Sequence, residues 1–126
     1  MSIPDPSAAT SLPVTTIADL QQTIDGWIGQ FEEGYWPPLA NLARLTEEVG
    51  ELAREVNHAH GPKKKRGDAE DRVAAELSDV IIAAATLANS LGIDLTRSLN
   101  ETLTALASRD ADRWKRKAVP GSAGGE

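Results

Sequence analysis

A chain of 126 residues with a formal net charge of -6 and no cysteine is one domain in length. It has no disulfide framework, no thiol nucleophile and no cysteine-based zinc site. Its acidity argues against a nonspecific coat for a nucleic-acid polymer, although a bound metal ion can invert the local field and admit a small anionic substrate.

Residues 1–15 are rich in Pro, Ser, Ala and Thr and read as a flexible arm. MSIPDPSAATSLPVTT lacks the basic and apolar regions of a signal peptide. No apolar run approaches the ~20 residues of a membrane span. A cytoplasmic protein without a membrane partner is the expectation.

The first helix is expected over 16–32. Thr16 suits the N-cap and Asp19 the acid of a capping box. Ile17, Leu20, Ile24, Trp27, Ile28 and Phe31 recur at helical spacing. Gly34 ends the segment, and Tyr35-Trp36-Pro37-Pro38 forms a connector. The second helix is expected over 38–59, with Pro38 in its first turn and Gly61-Pro62 as its stop. Leu42, Leu45, Val49, Leu52 and Val56 make its apolar face.

A basic loop, HGPKKKRGD, covers 60–68. The third helix follows over 69–91, with Asp68 as N-cap and Gly92 beyond its end. Its run VIIAAATLA is apolar on every face. A helix apolar all round is buried all round, and about 100 ordered residues barely enclose one. A homo-oligomer, dimer or tetramer, is therefore expected, against a compact monomer with this helix at its centre. The fourth helix is expected over 95–116, with Asp94 as N-cap and a basic last turn that suits the dipole. Residues 118–126, AVPGSAGGE, read as a disordered tail. The folded domain is thus 16–117, all-α and four-helix bundle-like, completed by homo-oligomerisation.

Two acid pairs at i, i+3 carry the chemistry: Glu48 with Glu51, and Glu76 with Asp79. With about 100° per residue and Glu48 at zero, the apolar residues of the second helix fall near +40° to +120° and Glu51 near -60°. With Glu76 at zero, the apolar residues of the third helix fall near +20° to +100° and Asp79 near -60°. Each helix carries its acids on the shoulder of an apolar stripe, so packing the stripes makes the pairs face each other. Helix bundles build carboxylate metal sites this way. The competing reading is a salt-bridged surface, since Arg44 precedes Glu48 by four and Arg72 precedes Glu76 by four. It explains less about Asp79, which has no basic residue three or four positions away. Glu51 has Arg54 at i+3 but is also crowded by Glu47, Glu48 and Glu55, like charges that repel unless a cation lies between them.

Glu47-Glu48-Val49-Gly50-Glu51, followed by Glu76-Leu77-Ser78-Asp79, resembles the EExxE…ExxD signature of MazG-like nucleotide pyrophosphohydrolases. That family belongs to an all-α superfamily with the dimeric dUTPases and the phosphoribosyl-ATP pyrophosphohydrolases. LANSLGIDL and RDADRW agree, and the likeness spans roughly 20–116. The resemblance implies hydrolysis of a nucleoside triphosphate to monophosphate and pyrophosphate. It implies Mg²⁺, with Mn²⁺ as a substitute, on Glu48, Glu51, Glu76 and Asp79, and Glu47 as the group that orients or deprotonates water. Such enzymes clear unwanted or modified nucleotides. Narrower activity on dUTP or dCTP, and a nucleotide-sensing module without turnover, are the alternatives.

Phosphates need cations, and the candidates are Lys63, Lys64, Lys65 and Arg66 on the loop, and Arg109, Arg113 and Lys115 late in the chain. Relatives often carry a lysine partway along the last helix; this chain has none between 95 and 114. Trp27, Trp36 and Trp114 could stack on a base, and Asn41 or Asn89 could hydrogen-bond it. His58 and His60, at i, i+2, do not share a helix face and read as surface residues.

Overall fold

The computed structural model describes residues 14–62 and 69–120. Among these described residues are four helices: α1 (Ile17–Ile28), α2 (Pro38–His60), α3 (Ala69–Ser90) and α4 (Leu95–Arg109). No strand occurs among the described residues, and the fold is all-α. α1, α2 and α3 lie in a compact unit that ends at Thr96; a second unit begins at Arg97. Most of the expected arm and tail lies outside the described residues, as do Asp68 and Lys63, Lys64, Lys65 and Arg66 of the basic loop.

Local chemistry sets the helix ends. The Thr16 hydroxyl accepts from the Asp19 amide at 3.0 Å, and the Asp19 carboxylate accepts from the Thr16 amide at 3.1 Å. This reciprocal box satisfies two backbone donors that α1 cannot. The hydrogen bonds from Thr15 and Thr16 hold the Asp19 carboxyl below its ordinary value. α1 stops at Ile28, four residues short of the expected end, because Gly29 caps it and the chain turns. Gly34 completes the turn at φ +63°, a left-handed conformation that glycine adopts without steric cost. α3 ends in a paired-bond motif, Ile93 N–H to Ala88 O and Gly92 N–H to Asn89 O, with Gly92 at φ +67°. The Asp94 carboxylate accepts from the Thr96 amide at the start of α4.

In the second unit, α4 ends at Arg109 and not at 116. Asp110 turns the chain: it accepts from Arg109 through two hydrogen bonds of 3.1 Å, and its carbonyl accepts from the Arg113 amide.

α2 and α3 run antiparallel, since Glu48 approaches Asp79 while Glu55 pairs with Arg72. The buried line of α2 is Asn41, Glu48 and Glu55, whereas Leu42, Val49 and Val56 stay exposed. The expectation that the apolar stripe forms the seam is corrected here. The helix is rotated so that Glu48 and Glu55 face α3, which leaves Leu42, Val49 and Val56 exposed and Leu45 and Leu52 only partly covered.

The third helix differs from expectation too. Ala83, Ala85 and Ala88 are buried, but Leu77, Ile81 and Ile82 are between 45% and 48% exposed. It is not enclosed all round within one chain. Residues 70–90 are also long and apolar enough, by length and composition, to cross a membrane, which corrects the expectation that nothing approaches a span.

A polar tie fastens α1 to the far end of α3. Gln21 donates to Asn89 Oδ1 and to the Ile93 carbonyl, both at 2.8 Å, and accepts from the Leu95 amide. Asn89 donates to the Gln21 carbonyl and to Tyr35 Oη, and Tyr35 donates to Asp25. Burial and the Asp25 partner raise the Tyr35 pKa. The tie is partly buried, and its mutually satisfied amides fix α1 against the end of α3.

Candidate active site

Acids on α2 and α3 meet across the seam between the two helices. One carboxylate oxygen each from Glu48, Glu76 and Asp79 lies within 4.8 Å of the others. Glu48 is buried, at 6% exposure. The Arg44 guanidinium donates to its Oε1 at 2.7 Å, which leaves Oε2 of Glu48, and likewise Oε2 of Glu76, buried with no partner among the described residues. Burial, then the charge of Glu51 and a hydrogen bond with it, push the Glu76 carboxyl above its ordinary range, and Asp79 and Glu48 add to this. Like charges held this close repel unless protons or a cation intervene. Orphaned carboxylate oxygens from several acids are the donor set of a hard divalent cation, so the residues present fit one.

The predicted site residues separate into groups. Glu48, Glu76 and Asp79 form the trio. Glu51 is exposed and acts on Glu76 from beside it. Glu47 is exposed and is not among the cavity-lining residues; its charge reaches Arg44. The Arg44 guanidinium is held protonated chiefly by Glu48, with Glu47 and Asp79 contributing. Arg109 and Arg113 belong to the second unit, where both lie against Asp110.

Beside the trio opens a cavity of about 630 Å³. Its walls follow helical periodicity. α1 contributes Leu20, Thr23, Ile24, Trp27 and Ile28; α2 contributes Asn41, Arg44 and Glu48; α3 contributes Asp79, Ile82, Ala83 and Thr86. The connector closes it with Phe31, Glu33, Gly34 and Trp36. Trp27 and Phe31 meet edge to face at 5.4 Å. Asn41 is buried and donates to the Trp36 carbonyl at 3.0 Å, so its amide secures the connector. Asn89 is committed to the tie, and Trp114 lies in the second unit under the Arg113 guanidinium.

Sequence reasoning treated Arg44 only as a neutralising partner. The i, i+4 spacing to Glu48 was visible, but its place in the cavity wall was not. Phe31 reads in sequence as part of the apolar face of the first helix, and only the early end at Ile28 makes it a connector wall; Glu33 carries no sequence signal for the site. Arg72 also differs from its spacing. It donates to Glu55 across the seam at 2.9 Å and not along its own helix to Glu76.

A family model described as the MazG nucleotide pyrophosphohydrolase domain matches residues 37–114. The uncharacterized protein YpjD of Bacillus subtilis (strain 168) is 48% identical over 103 residues, covering 81% of this chain and 93% of that one. A dATP/dGTP diphosphohydrolase of Cyanophage S-2L is 33% identical over 110 residues, covering 85% and 91%. Among solved structures, the Bacillus-conserved MazG protein, a nucleotide pyrophosphohydrolase, superposes with a TM-score of 0.67 at 45% identity. That match covers 81% of this chain and all of the other.

Proposed function

Because the chain belongs to the MazG family of nucleotide pyrophosphohydrolases, hydrolases acting on phosphoric anhydrides, we propose that it converts a nucleoside or deoxynucleoside triphosphate to the monophosphate and pyrophosphate in a Mg²⁺-dependent reaction. The observation that carries this reading is the carboxylate trio with two orphaned oxygens at the edge of a cavity. Glu48, Glu76 and Asp79 would hold Mg²⁺, or Mn²⁺ in its place, with Glu51 completing the set. A divalent ion there neutralises phosphate charge and lowers the pKa of a bound water.

Arg44 holds the Glu48 carboxylate through a 2.7 Å hydrogen bond and would bring a cation to the triphosphate end of the cavity. Glu47, exposed one residue before Glu48, would orient or deprotonate the attacking water. The aromatic walls, Trp36 included, exclude solvent and offer faces to a base. Lys63, Lys64, Lys65, Arg109 and Arg113 remain proposed phosphate contacts. The phage relative's name favours purine deoxynucleotides over a dUTP or dCTP specialist. We place the activity in the cytoplasm, clearing modified nucleotides from the pool.

The apolar residues left exposed on α2 and α3 support a homodimer or homotetramer. The deciding experiment is product analysis on a panel of standard and modified (d)NTPs, with Mg²⁺ or EDTA, for wild type and Asp79→Ala. Pyrophosphate plus monophosphate should form, stop with EDTA, and drop at least about a hundredfold in the variant. Release of orthophosphate instead would refute the reaction type. Absence of turnover from folded protein would favour a nucleotide-binding module.

A further inference from the structure

Most of the charged and polar groups lining the cavity already have partners. Arg44 and Glu48 bind each other, and Glu48 and Asp79 belong to the trio. Asn41 commits one of its two amide hydrogens to the Trp36 carbonyl, and Thr86 commits its hydroxyl hydrogen to the Ile82 carbonyl, while Thr23 adds a neutral hydroxyl to the wall. The remaining acid is Glu33. It lines the cavity and has no hydrogen bond or ion pair among the described residues. It is exposed at the cavity rim, between Phe31 and Trp36 in the chain, both half-exposed aromatic walls. Its backbone is fixed on one side by the left-handed turn at Gly34 and by the Tyr35 hydroxyl, which donates to Asp25.

An ionised carboxylate only accepts, through two oxygens side by side. The base edge that complements it must present two adjacent N–H donors. Guanine does so with N1–H and the 2-amino group. Adenine and cytosine set an amino donor beside a ring-nitrogen acceptor, which a carboxylate repels. Thymine and uracil offer one N–H between two carbonyls, and hypoxanthine offers N1–H alone. The cavity falls within the ~300–1,000 Å³ of small-molecule sites, and its aromatic walls suit the larger face of a purine.

We propose that Glu33 is a specificity-determining residue that selects guanine nucleotides by pairing with N1–H and the 2-amino group. This rests on the pyrophosphohydrolase reading above and names its preferred base.

The test is kcat/KM, read as pyrophosphate release, for dGTP, dITP, dATP and dTTP with wild type, Glu33→Ala and Glu33→Gln. Wild type should favour dGTP over dITP by about tenfold or more, the worth of one charge-assisted hydrogen bond. Glu33→Ala should erase that ratio. Glu33→Gln should invert dGTP against dATP, because an amide sets a donor beside an acceptor and so matches adenine. Equal dGTP and dITP rates in wild type would overturn the proposal without any variant. An equal fall for all four nucleotides would overturn it as well, since that is the signature of a structural role. No turnover of any nucleotide by wild type would remove the pyrophosphohydrolase reading and this proposal with it, whereas turnover with flat ratios removes this proposal alone.

Discussion

Glu76 shows what the site costs the fold. Its carboxyl is raised by burial and by Glu51, Asp79 and Glu48, so the folded chain resists its charge. Functional sites commonly hold such unfavourable groups, and relieving them stabilises the protein. Glu76→Gln should raise the Tm of the metal-free protein by a few degrees at pH 8. It should also abolish most of the Tm gain that wild type shows with millimolar Mg²⁺, since an ion that binds only the folded state stabilises by mass action. Differential scanning fluorimetry with EDTA and with Mg²⁺ reads both effects. A variant less stable than wild type in EDTA, yet equally responsive to Mg²⁺, would show that the acids are not a cation site. The four acids were legible in sequence because i, i+3 spacing on a helix is a geometric statement. Glu33 was not, because its position depends on how the connector folds back over α1.

Between elements, Glu55 clamps the α2–α3 seam. It is 4% exposed and accepts from Arg72 at 2.9 Å, with Arg54 and His58 each at 3.5 Å. The Arg72 hydrogen bond, foremost, holds its carboxyl below the ordinary range. A depressed folded value means the carboxylate stabilises the fold above the unfolded value, about 4.3, and that this contribution is lost as pH falls through the folded value. At pH 7, Glu55→Gln should therefore melt roughly 4–8 °C below wild type. The gap should close as pH drops below about 4. A gap that stays constant from pH 7 to pH 3 would mean that shape and not charge holds the seam. Helical periodicity announced α2 and α3, but it assigned Arg72 to Glu76. Only the antiparallel pairing of the helices gives that guanidinium to Glu55.

For the whole molecule, one chain leaves too much apolar surface in water. Leu42, Val49 and Val56 repeat at seven-residue spacing on α2, and Leu77 and Ile81 stand on α3, all between 40% and 48% exposed. No large side chain among the described residues is fully buried. Soluble monomers rarely carry such continuous patches, and burial of apolar area is the main source of association free energy. Light scattering after size exclusion should give a dimer or tetramer at micromolar concentration. Ile81→Glu, outside the cavity lining, should shift it toward monomer and lower the Tm. A monodisperse monomer for wild type would sink this expectation and leave the exposed faces to another partner.

Taken alone, the sequence determined the helices and the acids that they carry. Turn chemistry at Thr16, Gly34, Gly61 and Gly92 bounds the elements within a few residues, and short-range spacing puts Glu48 with Glu51 and Glu76 with Asp79. These are local properties, set by backbone sterics and a 3.6-residue turn. Tertiary structure decided the rest. It rotated α2 so that Asn41, Glu48 and Glu55, not Leu42, Val49 and Val56, face inward. It gave Arg44 to the cavity and Arg72 to Glu55, and it brought Glu33 from a connector to the cavity wall. Those outcomes depend on which faces of different helices meet, a long-range choice governed by the desolvation of paired charges that no local pattern encodes.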